Sequence, residues 1–146
     1  VLWMPSVAGG RVFVSAGLAA AEDDERRNWV YALNAADGSV AWRVDVPALA
    51  TLVATDDRLY VMAPTPDPDS VVLALDAATG AEVWRWWMAA DQAALAGGAL
   101  YVPTVGGFFA VDPATGVQRW RAGPSGEIVG PPLVADGLVV VRLRTS

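Results

Sequence analysis

The sequence predicts an all-β fold built from repeated four-stranded antiparallel units, and three observations predict it. An eleven-residue frame recurs three times in the same spacing, and such self-similarity marks a repeat architecture. Four two-residue pairs of Gly or Asp, namely Gly9-Gly10, Asp56-Asp57, Gly97-Gly98 and Asp136-Gly137, separate extended apolar runs. Pairs of this kind tolerate positive φ and suit the tight turns of β-hairpins. Finally, Gly 14 and Pro 10 in 146 residues that are 54% hydrophobic give turns for many short strands and apolar material for a core.

The first unit, residues 5–46, turns from strand A to strand B at Gly9-Gly10 and carries Val12-Phe13-Val14 on strand B. Its B to C loop runs from Gly17 to Asn28 and holds at most a helical turn, where Ala and Glu cluster. The frame follows as Ala32-Leu33-Asn34-Ala35-Ala36-Asp37-Gly38-Ser39-Val40-Ala41-Trp42. The second unit, residues 47–88, places strand A at Leu52 to Ala54, B at Leu59 to Met62, C at Val71 to Asp76 and D at Glu82 to Trp86. Its frame runs from Ala74 through Gly80 to Trp84.

The third unit, residues 89–123, puts strand A within Met88 to Ala96 by alignment with the other A strands, despite its Ala-rich composition. Leu100-Tyr101-Val102 forms strand B, and the frame runs from Ala110 through Gly116 to Trp120. Residues 124–146 hold only strands A and B, because Pro132 to Gly137 lines up with Pro5 to Gly10. The expected total is 14 strands. Frame tryptophans lie 42 and 36 residues apart, and a period near forty with four strands per unit is that of propeller blades, whereas ankyrin and tetratricopeptide arrays need helices and a shorter fixed period. The fold class is therefore a β-propeller segment of about three and a half blades, a single domain over residues 1–146.

The frame Ala-x-Asp/Asn-x-x-x-Gly-x-x-x-Trp resembles the tryptophan-docking repeat of pyrroloquinoline quinone (PQQ) dehydrogenases and their non-enzymatic relatives. The resemblance covers nearly the whole chain and implies a propeller in which each docking Trp packs on the Gly region of the next blade and donates its indole N–H to a main-chain carbonyl there. It implies structural docking roles for Trp42, Trp84 and Trp120, for Gly38, Gly80 and Gly116, and for Ala32, Ala74 and Ala110. By position, Trp42 meets the Gly80 motif and Trp84 the Gly116 motif, while Trp120 has no motif after it. Asn34 stands where the family has Asp, and Asp37 where it has Thr; both are competent turn residues. Three and a half blades leave apolar flanks open. The expected cover is the remaining blades of a longer parent chain, with a second copy as the alternative.

Composition removes many functions. Cys 0 and His 0 leave no disulfide framework, no thiolate or imidazole metal ligand and no histidine general base. Ten Lys and Arg against 16 Asp and Glu, a net charge of −6, give no basic cluster for nucleic acid. Gly, Pro and charged residues interrupt every apolar stretch before the roughly 20 residues that a membrane span needs. The first residues have neither the basic region nor the apolar run of a secretion signal, so any such signal is expected outside these residues.

Short, uniform A to B and C to D turns must emerge on one face of the blades, and the variable B to C and D to A loops on the other. A protein or small ligand is expected on the variable-loop face, since connections that vary carry function on a rigid scaffold. The run Glu22-Asp23-Asp24-Glu25-Arg26-Arg27 reads as a solvated loop. Asp67 and Asp69, in a Pro-stiffened turn, provide two carboxylates against the roughly six to eight oxygens calcium takes. Trp86 and Trp87 form a possible aromatic partner surface, with packing between blades as the competing reading.

No catalytic, cofactor-binding or metal-binding residue is assigned. Glu82, Asp91 and Glu127 are acids outside any recognisable catalytic motif. The resemblance thus implies a non-catalytic binding or scaffolding module of an extracytoplasmic bacterial protein, periplasmic or at the cell surface, without a cofactor. The alternative is part of a PQQ-dependent alcohol or sugar dehydrogenase, which would hold PQQ with calcium.

Overall fold

The computed structural model describes residues 4–18, 27–66, 69–104, 107–123 and 127–144. Three four-stranded antiparallel sheets follow one another, each a simple meander. The first orders β1 (Ser6–Ala8), β2 (Arg11–Leu18), β3 (Arg27–Asn34) and β4 (Val40–Val46). The second orders β5 (Thr51–Ala54), β6 (Arg58–Ala63), β7 (Val71–Asp76) and β8 (Glu82–Trp87). The third orders β9 (Ala94–Ala96), β10 (Ala99–Thr104), β11 (Gly107–Val111) and β12 (Gln118–Ala122). These are strands A to D of three blades. No helix among the described residues is long and apolar enough to cross a membrane.

The fourth unit is richer than its sequence suggests. Strands A and B form as β14 (Leu133–Ala135) and β15 (Leu138–Val140), and the ribbon continues past Gly130-Pro131-Pro132 as β13 (Glu127–Ile128) paired with β16 (Leu143–Arg144). Sixteen strands are therefore described where 14 were expected. The two extra ones are short and lie where a Pro pair, which offers no N–H to a ladder, interrupts the pattern. Strand A of the third blade is also shorter than expected: only Ala94–Ala96 pairs, and 88–93 are irregular. Most of the Ala and Glu cluster in the first B to C loop lies outside the described residues; Gly17 and Arg27 themselves extend β2 and β3.

Three of the four predicted pairs adopt left-handed turns, with φ of 56° and 72° at Gly9-Gly10 and at Gly97-Gly98, and 50° and 73° at Asp136-Gly137. Asp56-Asp57 departs from this, since neither residue has positive φ. There the Thr55 N–H donates to the Arg58 carbonyl at 2.8 Å, and the Thr55 hydroxyl accepts the Arg58 N–H at 3.0 Å. A side-chain acceptor thus does the work that backbone twist does in the other turns.

The core lies between blades. Alternation along a strand sends successive side chains to opposite faces, and the middle blade is covered on both. Leu59, Val61, Leu73 and Leu75 join Phe13, Val30 and Trp42 of the first blade. Tyr60, Met62, Val72 and Ala74 join Leu100, Val102, Phe109 and Val111 of the third. This explains why β6 and β7 read as nearly unbroken apolar runs, the mark of strands buried on two faces.

Candidate functional site

The frame places its residues by a register that the sequence does not display directly. Ala32 lies opposite Trp42, Ala74 opposite Trp84 and Ala110 opposite Trp120, with a bulge immediately after each Ala. A small residue facing a large ring across a ladder leaves that ring room to lie over the sheet. All three alanines are fully buried. The turn between them is held from its first residue. Asp76 Oδ1 accepts the N–H groups of Ala78 and Thr79 and the Thr79 hydroxyl, and Asp112 Oδ1 accepts those of Ala114 and Thr115.

These bonds hold the carboxylates ionised. The Thr79 bonds keep Asp76 below the usual carboxylate range, and the Arg119 guanidinium, 2.9 Å away, does so first for Asp112. The first copy reaches the same turn with different groups. Asn34 Nδ2 donates to Ser39 Oγ at 2.8 Å, and Asp37 Oδ1 accepts the Ser39 hydroxyl and N–H. The Ser39 bonds likewise keep the Asp37 carboxyl low.

Across the first blade boundary, Trp42 Nε1 donates to the Ala77 carbonyl at 2.9 Å. Across the second, Trp84 Nε1 donates to the Pro113 carbonyl at 2.9 Å, which also accepts the Tyr60 hydroxyl at 3.2 Å. Burial pushes the Tyr60 phenol up. In both cases the acceptor stands three residues before the motif Gly. A Cβ on Gly80 would lie 2.8 Å from the Trp42 ring, and one on Gly116 2.8 Å from the Trp84 ring, at φ of 76° and 73°. Only Gly fits such a turn with a ring pressed against it.

The two ends differ from this pattern in complementary ways. Trp120 is 43% exposed, against 9% for Trp42 and Trp84, although Tyr101 and Phe108 pack on it at 6.0 and 5.9 Å between centroids. Gly38 has the same φ, 73°, yet among the described residues nothing lies within 4 Å of where its Cβ would be.

The possible aromatic surface divides. Trp86 turns into the boundary, where its Nε1 donates to the Gly116 carbonyl at 2.9 Å and its ring meets Phe109 edge-on. Trp87 is 64% exposed with the Arg85 guanidinium 4.8 Å above its ring. Trp86 is thus a second indole bonded to the next blade. Strand alternation signals that it and Trp87 face opposite ways, but not which one is covered. Asp69 is exposed in its turn, and Asp67 lies outside the described residues. The neighbouring loop is closed by buried Ser70, whose hydroxyl accepts the Thr65 N–H and donates to the Thr65 carbonyl, both at 2.8 Å.

On the variable-loop face, a cleft of about 410 Å³ opens between the third blade and the fourth unit, lined among others by Asp91, Gln92, Pro103, Thr104, Glu127 and Ile128. Sequence reasoning put Asp91 and Glu127 in no motif, and their meeting here depends on how two units pack. Glu127 is bonded to Arg144 at 2.6 Å, and the buried Gln92 Oε1 accepts no hydrogen bond from the described residues. Among the described residues no group of three or more Asp or Glu is placed to hold a metal ion.

Comparison with known proteins places this geometry. A family model described as outer membrane protein assembly factor BamB matches residues 1–87 and again 68–145. A curated relative, outer membrane protein assembly factor BamB of Burkholderia pseudomallei (strain K96243), is 39% identical over 94 residues, covering 62% of this chain and 23% of its own length. The chain therefore spans about a quarter of that relative. Among solved structures, BamB from Moraxella catarrhalis aligns with a TM-score of 0.70 and 21% identity over 95% of this chain and 42% of its own. The computationally designed Ika4 protein aligns at 0.75 and 16% identity, over 99% and 86%. Quinohemoprotein alcohol dehydrogenase from Comamonas testosteroni aligns at 0.58 and 22% identity, over 81% and 20%. With the docked indoles, the bulged registers and the blade order all in place, the chain belongs to the PQQ-type repeat family of the outer membrane protein assembly factor BamB.

Proposed function

We propose that this chain is a non-catalytic propeller segment that works outside the cytoplasm as a protein-binding scaffold in outer membrane protein assembly. One observation carries the reading: the family match runs from residue 1 to residue 145. The name of the Burkholderia relative adds the assembly role. In this reading Trp42 and Trp84, set on Gly80 and Gly116, serve as rivets that keep blade positions fixed, and Trp120 and Gly38 hold the same roles at the two ends. A rigid scaffold lets the variable loops and the cleft beside Asp91 present a constant surface to a protein.

The test is site-specific crosslinking in the periplasm of a Gram-negative host. A photoreactive residue at Asp91, on the variable-loop face, is expected to capture a component of the outer membrane assembly machinery, identified by mass spectrometry. The same group at Asp37, on the tight-turn face, is expected to capture none. Capture from Asp37 alone, or from neither, would overturn the reading. The dehydrogenase alternative has only the likeness of fold to support it. Adding PQQ and Ca²⁺ is expected to leave the melting temperature unchanged, and a saturable rise would reverse the assignment.

A further inference from the structure

We draw no further inference here: the strongest candidate, the cleft between the third blade and the fourth unit lined by Asp91, Gln92 and Glu127, belongs to the variable-loop surface already described, and nothing in the structure shows what covers it.

Discussion

Replacing Trp84 with Ala removes a ring that is almost wholly buried, packed on Tyr60 and on the Gly116 turn. An aromatic of this size buries roughly 200 Å², and at about 25 cal/mol per Å² its return to water amounts to about 5 kcal/mol. The unfolded chain already hides part of that area, which lowers the figure, so the expected loss is about 3–5 kcal/mol, the range of buried aromatic deletions. Trp120→Ala removes the same atoms from a site that is 43% exposed and without an acceptor among the described residues, and about 2–3 kcal/mol is expected by the same area scale. Trp84→Phe keeps most of the contact but loses the donor to Pro113, which isolates a hydrogen bond of about 1 kcal/mol. Urea denaturation followed by far-UV circular dichroism measures all three without relying on the indoles being altered. Equal losses at Trp84 and Trp120, or a loss below about 1 kcal/mol at Trp84, would refute the view that boundary indoles hold the blades together.

Two further outcomes are expected. Gly80→Ala should destabilise far more than Gly38→Ala, because both carry the left-handed strain of about 1–2 kcal/mol while only Gly80 meets a ring at 2.8 Å; matched denaturation midpoints for the two would contradict this. Asp37, Asp76 and Asp112 all have folded values held below their unfolded ones, so their contribution is present above the unfolded value of about 3.9 and is lost as pH falls through the lower folded values. Urea midpoints should accordingly fall below about pH 4, and less steeply in Asp112→Asn, whereas a midpoint rising with acid would reverse the sign.

The repeat made the blades legible because its signals are local. The Ala to Trp spacing is a cross-strand pair with one bulge, and the Asp to Gly spacing is a turn closed by its own side chains, so both survive when only the order of residues is read. Strand C of the second blade, Val71–Asp76, follows from the pattern to the residue. The irregular stretch at 88–93 does not, because Ala-rich segments carry little preference between strand and coil and tertiary packing decides them. The turn at Asp56-Asp57 also escaped the pattern. Its geometry is set by the Thr55 hydroxyl, a group outside the pair that was read.

The sequence by itself determined the number and order of strands within each full blade, and the identity of the indoles, because alternation, turn chemistry and repeat spacing are properties of neighbours along the chain. Tertiary structure alone decided that Trp86 bonds the Gly116 carbonyl while Trp87 stays in solvent, and that Asp91 and Glu127 share a cleft. Those outcomes depend on which blade faces which: the Trp86 contact spans 30 positions and, unlike the docking of Trp42 and Trp84, follows from no recurring spacing along the chain.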